Sequence, residues 1–219
     1  MSPEDAQDAA ADALGSGDPL AWFEKLYASA PDESAIPWAG LEPHALFLEW
    51  LDATEPQPGR ALVVACGLGD DAEELAARGF DVTAFDLAPS AIAWAKRRFP
   101  ESSVSYVVAN ALDLPAEWAG AFDLVVEVYT LQALPAELRP AVGAAIVRCV
   151  APGGTVVAVA RARDDDAPPG EGPPWPLTSE ELMSYLRTDG VYTLDRVADV
   201  GRAGAPGVSR MRLVLRRPL

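Results

Sequence analysis

The sequence predicts an α/β protein with a doubly wound, seven-stranded, mostly parallel sheet, a C-terminal antiparallel hairpin and helices on both faces. Three observations predict it. Apolar runs of strand length at Ala61 to Ala65, Asp81 to Asp86, Ser103 to Val108, Phe122 to Val128 and Thr155 to Ala160 alternate with segments of helical period. Residues 61–86, ALVVACGLGDDAEELAARGFDVTAFD, spell a strand, a glycine turn, a helix and a second strand without interruption. Near the C-terminus, Val191 to Val200 and Ser209 to Arg217 read as adjacent strands. In the second of them Met211, Leu213 and Leu215 alternate with Arg210, Arg212 and Arg216, as on a strand wetted on one side.

The elements follow in order. Residues 1–18 are rich in Ala and Asp and poor in large apolar groups, which predicts a disordered tail ahead of one domain over 19–219. Within that domain, 19–58 is expected to form a helical lid and 59–219 the core. Trp22, Phe23, Leu26 and Tyr27 fall at helical spacing. After a loop around Pro31, Pro37 and Trp38, the period returns in Ala45, Leu46, Leu48 and Leu51. Asp70 to Arg78 places Ala72, Leu75 and Ala76 on one helical face, and Pro89 to Phe99 reads as a helix burying Ile92 and Ala95. Pro135, at a first turn where a missing N–H costs little, opens a helix expected to reach about Val150, and Ala151-Pro152-Gly153-Gly154 ends it. Residues 161–176, rich in Asp, Pro and Gly, read as a mobile loop. Thr178-Ser179-Glu180-Glu181 fits a capping box for a helix through Leu182, Tyr185 and Leu186 that stops near Gly190.

The chemistry is expected at the strand ends. At Gly67 and Gly69 the missing Cβ atoms let backbone approach a ligand, and the turn opens a helix whose first N–H groups are free. Asp86 ends the second strand about 20 residues on, where a parallel sheet can grip a ribose. A nucleotide-type cofactor follows. Gly67-Leu68-Gly69-Asp70-Asp71-Ala72 also satisfies a loose dinucleotide pattern, but Asp70 and Asp71 would repel a pyrophosphate. They tolerate a cation, so the turn favours S-adenosylmethionine, a sulfonium without phosphate, over NAD. The same two acids also suit a helix dipole and cap. Past the third strand, the amide of Asn110 could meet an adenine or simply close an Asx turn. The fourth strand ends in Glu127, Val128, Tyr129, Thr130, Leu131 and Gln132, whose polar groups would face the same crevice.

Composition narrows the partners. A net charge of -16 argues against nucleic acid and anionic membranes. No apolar segment has the length of a membrane span, and the N-terminus lacks the basic start and apolar core of a signal peptide, which leads to a cytoplasmic expectation. Cys66, Cys149 and the lone His44 support neither a disulfide framework nor a metal site. The expected partner is a small-molecule acceptor, with the protein a monomer or homodimer.

With the CGLG turn, Asp86, NALDLP after the third strand, FDLVVEV and APGG, the chain resembles the class I S-adenosylmethionine-dependent methyltransferases, of Rossmann-like fold, from about Trp22 onward. Its WFEKLY, CGLGDDAEELA and LQALP segments look most like the thiopurine, halide and tellurite-resistance methyltransferase group. It departs from the wider family in having Ala65 where many members carry an acid, and from that group in having Glu127-Val128-Tyr129 where an acid and an arginine are usual. The resemblance implies a cofactor set of Cys66, Gly67, Gly69, Asp86, Leu87, Asn110, Ala111, Leu112 and Glu127. Gly67 and Gly69 would approach the methionine part, Asp86 the ribose, and Asn110 with Ala111 the adenine. It also implies in-line displacement at the sulfonium methyl, accelerated chiefly by orientation. A hydroxyl or ammonium acceptor would need a base, for which Glu127, Tyr129 and His44 are candidates, with Glu127 favoured by its place at a strand end. Tyr129 and Gln132 are expected to line the acceptor pocket and Trp22 and Trp38 to cover it. A nicotinamide-dependent oxidoreductase and a non-catalytic nucleotide-binding protein of the same fold are the rival readings.

Overall fold

In the computed structural model, residues 18–170, 172–187, 192–200 and 209–219 are described. The expected N-terminal tail, apart from Asp18, and the helix stop near Gly190 lie outside them. The elements run α1 (Ala21–Ser29), α2 (Ala45–Thr54), β1 (Arg60–Val64), α3 (Asp70–Ala77), β2 (Asp81–Asp86), α4 (Pro89–Arg98), β3 (Ser105–Val108), β4 (Phe122–Val128), α5 (Arg139–Cys149), β5 (Val150–Arg161), α6 (Ser179–Leu186), β6 (Tyr192–Val200) and β7 (Ser209–Arg216).

The strands form one seven-stranded sheet in the order β3-β2-β1-β4-β5-β7-β6. β1 to β5 are parallel, and β7 pairs antiparallel with both β5 and β6. Because side chains alternate across a strand, β1 sends Leu62 and Val64 to one face and Ala61 and Val63 to the other. The first pair joins Val125, Ile146 and Leu182 in a core under α5 and α6. The second joins Leu75, Ile92 and Val126 under α3 and α4, with Phe47, Trp50 and Leu51 of α2 extending that layer. A smaller cluster of Trp22, Leu26, Tyr27 and Ile36 packs on Leu68, Ala88 and Ala91, seating the N-terminal segment on the first βαβ unit. Among the described residues, no helix is long and apolar enough to cross a membrane.

Four expectations are corrected. The helix placed from Pro135 begins at Arg139: Pro135 instead opens a turn closed by the Leu138 N–H, and Pro140 takes the first helical turn, where its missing donor is harmless. The run Ala151 to Gly154, read as a stop, is the irregular first part of a longer β5, whose register shifts opposite Phe122 and Leu124. The described part of 161–176 is tied down: Trp175 N–H donates to the Gln132 carbonyl, and Arg163 bonds the Pro176 and Ala167 carbonyls and pairs with Glu181. Finally, β7 is no half-wet edge. It lies between β5 and β6 with α2 and α6 packed on it, so Arg212 is buried and donates to the Leu46 carbonyl at 2.7 Å. The capping box forms as read, Thr178 Oγ1 and Glu181 each bonding the other's backbone N–H.

Candidate active site

The strand order reverses at β1 and β4, and the crevice beyond the carboxyl ends of those strands is where an open α/β sheet binds ligands. A cavity of about 410 Å³ opens there. On the β2–β3 side it is walled by Phe85, Asp86, Leu87 and residues 109–112; on the β5–β7 side by Tyr129, Gln132, Arg161 and Arg210. Trp22, Phe23, Tyr27 and Trp38 of the N-terminal segment also line it. Their rings pack on one another, with Trp22 stacked on Phe23 at 4.1 Å and edge-on to Trp38 at 5.7 Å. At both strand ends the chain turns sharply through left-handed backbone, Ala65 at φ +47° and Tyr129 at φ +66°. Non-glycine residues hold such conformations only where their surroundings fix them. Here the N–H groups of Cys66 and Tyr129 are bound by the Phe85 and Val159 carbonyls, both at 2.8 Å.

On the β2 side Asp86 is the only carboxylate among the lining residues. Its Oδ2 accepts the Gly67 N–H at 3.0 Å and its Oδ1 the Ala88 N–H at 2.9 Å. Burial pushes its carboxyl up to about 6, against the pull of those two bonds. Each oxygen keeps a lone pair for a ligand hydroxyl. Beside it Leu87, Ala111 and Leu112 give an apolar slot of the kind that takes a purine face. Asn110 lines the cavity, but its Oδ1 accepts the Leu112 N–H at 2.9 Å, an Asx turn that leaves chiefly its amide nitrogen for a ligand.

Of the cofactor set inferred from the sequence, Cys66, Gly67, Gly69 and Glu127 do not line the cavity. Gly67 sits at its margin, where a Cβ would come within 3.0 Å of the Tyr27 hydroxyl. Gly69 serves packing instead: at φ +94° its bare Cα makes room for the phenol of Tyr106, which donates to Glu73 at 2.6 Å. The Cys66 thiol is pushed well up by burial and by Asp86. Glu127 is fully buried, its Oε2 accepting the Thr130 N–H at 2.9 Å and the Leu131 N–H at 3.4 Å. Its Oε1 has no partner, and burial raises the carboxyl to about 7. Through these bonds Glu127 staples the turn that presents Tyr129. Asp70 and Asp71 also face the protein: Asp70 is clamped by Arg98 at 2.7 and 2.8 Å, and Asp71 accepts the His44 N–H at 2.8 Å. With Glu73 they make a helix start hostile to pyrophosphate.

On the other side, Tyr129 is the centre of a small network. His44 caps α2 by accepting the Leu46 N–H on Nδ1, which leaves the proton on Nε2 to reach the Tyr129 hydroxyl at 2.9 Å. Arg210 Nε donates to the same oxygen at 2.6 Å. Burial, with the Arg210 charge, depresses the imidazole to about 4, so His44 is neutral with both nitrogens engaged and is no free base. Burial raises the Tyr129 phenol despite the arginine, keeping it protonated near neutrality. Gln132 Oε1 accepts the Arg161 N–H, fixing the end of β5. The structure thus brings Trp22, Trp38, Tyr129 and Gln132 onto one cavity with Asp86, Leu87 and residues 110–112. Sequence reasoning passed over Arg161, Arg210, Pro173 and Pro174. For Arg161 the signal was present, since it ends β5 as Asp86 ends β2; for Arg210 the strand alternation pointed the wrong way.

Comparison with known proteins agrees with this geometry. Residues 61–154 match the family described as a methyltransferase domain. A 2-heptyl-1-hydroxyquinolin-4(1H)-one methyltransferase of Mycobacteroides abscessus is 28% identical over 181 residues, which are 80% of this chain and 78% of that protein. A ubiquinone biosynthesis O-methyltransferase of Xanthomonas axonopodis pv. citri is 42% identical over 91 residues, 40% of this chain but only 38% of that protein. Among solved structures, the N-methyltransferase NodS from Bradyrhizobium japonicum in complex with S-adenosyl-L-homocysteine superposes with a TM-score of 0.70 at 24% identity, covering 90% of this chain and 96% of that one.

Proposed function

We propose that the chain is a class I S-adenosylmethionine-dependent methyltransferase and that it methylates an oxygen or nitrogen of a small, planar acceptor. The observation that carries this reading is the single cavity running from Asp86 to Arg210 beneath the aromatic N-terminal segment. The residues present fit the cofactor: one partly unsatisfied carboxylate for vicinal hydroxyls and an apolar slot beside it. When bound, S-adenosylmethionine supplies an electrophilic sulfonium methyl. Asp86 would hold the ribose, Leu87, Ala111 and Leu112 the adenine, with Asn110 at its edge, and Gly67 would let the methionine part approach.

The chain's own contribution is positioning. Residues 19–58 act as a lid whose Trp22, Phe23 and Trp38 keep water from the cavity. Tyr129, gripped by two donors, has its own O–H left to orient the acceptor, with Gln132 beside it. Among the described residues no free base faces that end, which favours an acceptor that reacts without one or that arrives ionised. The curated relative that spans most of this chain is named for a hydroxyquinolinone, and the ubiquinone relatives are named O-methyltransferases, which supports oxygen as acceptor. The finer likeness to the thiopurine, halide and tellurite-resistance group would favour a soft nucleophile; Tyr129, Gln132 and two arginines suit oxygen or nitrogen better.

Thermal unfolding of the protein with S-adenosylmethionine, S-adenosylhomocysteine and NAD in parallel tests the reading. At about 100 times its dissociation constant, a ligand adds roughly 2.7 kcal/mol and raises the midpoint by about 5–10 °C for a chain of this size. We expect that rise with the two adenosyl ligands, followed by label transfer from methyl-labelled cofactor to hydroxyquinolinones. A rise with NAD alone overturns it.

A further inference from the structure

Arg161 ends β5 and faces Arg210 across the antiparallel β5–β7 pair, and both line the cavity. Residues directly opposite in such a pair project to the same face of the sheet. Arg210 is committed through Nε to the Tyr129 hydroxyl. Arg161 is not comparably held. Its Nε is buried without a hydrogen-bond partner, and its guanidinium makes no hydrogen bond or ion pair with any described residue. A guanidinium left unsatisfied at the wall of a largely apolar cavity has, among the described residues, no counter-ion to balance its charge. Among the described lining residues the one carboxylate, Asp86, belongs to the opposite end of the cavity.

We propose that Arg161, with Arg210 beside it, is the anchoring site for a carboxylate on the methyl acceptor, so that this enzyme takes planar aromatic acids. The inference rests on the reading above, in which the cofactor occupies the Asp86 end. A carboxylate is favoured over an ionised hydroxyl for two reasons. The guanidinium fork matches a two-oxygen anion in bidentate fashion. And among the described residues the acceptor end offers no free base to ionise a hydroxyl, because His44 uses both nitrogens and Glu127 lies outside the cavity. Gln132 holds the Arg161 backbone and, through its own carbonyl, the Trp175 N–H beside Pro173 and Pro174, so the anchor and an apolar wall for the ring are set by one residue.

The test is calorimetric titration of the full chain saturated with S-adenosylhomocysteine, using 2-naphthoate against its uncharged isostere 2-naphthamide. The acid is expected to bind at least tenfold more tightly than the amide. In Arg161→Gln and Arg161→Met that ratio should fall to within twofold while the affinity for S-adenosylhomocysteine stays within twofold of the parent, which also reports that the variants are folded. Equal binding of acid and amide by the parent, no binding of the acid, or a preference that survives both substitutions overturns the proposal. Loss of S-adenosylhomocysteine binding in the Arg161 variants also overturns it, by assigning the guanidinium to the cofactor, and leaves the methyltransferase reading intact. Failure of the parent to bind S-adenosylhomocysteine removes that reading and this one together.

Discussion

The two halves of the cavity are built differently. The half proposed for the cofactor is assembled from the ends of β1, β2 and β3, which adjoin one another in the sheet and follow in sequence, and it presents mostly backbone and small residues around Asp86. The half proposed for the acceptor is assembled from side chains that the chain delivers from far apart: His44 before β1, Tyr129 and Gln132 after β4, Arg161 at the end of β5 and Arg210 on β7. Residues 61–154, the segment matching the methyltransferase family, contain the whole first half and omit three of those five residues of the second. A common cofactor can be held by a common backbone; a particular acceptor needs particular side chains, and these can come from any element that reaches the crevice.

The sharpest break in this comparison is Asp86→Ala. It removes the cofactor-side carboxylate and orphans the Gly67 and Ala88 N–H groups, and each buried unsatisfied group costs about 1–3 kcal/mol. Titration with S-adenosylhomocysteine should show affinity reduced by about 100-fold or more; retention of near-parental affinity would dissolve the distinction between the halves. Next in size is Tyr129→Phe, which deletes the oxygen shared by His44 and Arg210. Steady-state assays should give turnover lowered by about 10- to 100-fold, with S-adenosylhomocysteine affinity within about threefold. An equal loss of both would place Tyr129 on the cofactor.

The smallest effect is expected at Glu127. The native state holds its proton more tightly than the unfolded chain, since the carboxyl titrates near 7 when folded. Stability from this group is therefore fully present below the ordinary carboxyl range, about pH 4, and is lost as pH rises towards 7. Glu127→Gln keeps an oxygen for the Thr130 and Leu131 N–H groups and removes the buried charge. Melting curves should place the variant about 2–4 °C above the parent at pH 8 and level with it at pH 4, with turnover within about twofold. A large loss of turnover would return Glu127 to the chemistry.

The same division explains what could be read from sequence. The α/β architecture, the βαβ opening unit and the terminal hairpin follow from local period and glycine placement, which the tertiary structure leaves intact. Asp86 and residues 110–112 were legible on the crevice because a strand end fixes their place. Glu127 satisfied the same rule and failed it, since the left-handed turn at Tyr129 folds the chain back and no composition signal announces that turn in a tyrosine. Gly69 looked like ligand clearance because a bare Cα is equally useful against Tyr106, a partner supplied by β3. Arg210 and Arg212 alternate as wet residues do; only the sheet order shows that β7 is interior, with Arg212 buried against α2 and Arg210 at the cavity wall.

Arg161 and Arg210 meet only because β7 runs antiparallel to β5 in one register. A slip of one residue would bring Ser209 or Met211 opposite Arg161 and turn every side chain of β7 to the other face. The register of the terminal strand is therefore fixed by the core as well as by its neighbours, since Met211, Leu213 and Leu215 pack on one face of the sheet and Val214 on the other. The pairing that sets Arg161 opposite Arg210 is thus tied to the packing of the whole sheet, and a change at this end of the cavity that keeps the fold has to come from substitution of single side chains rather than from movement of the strand.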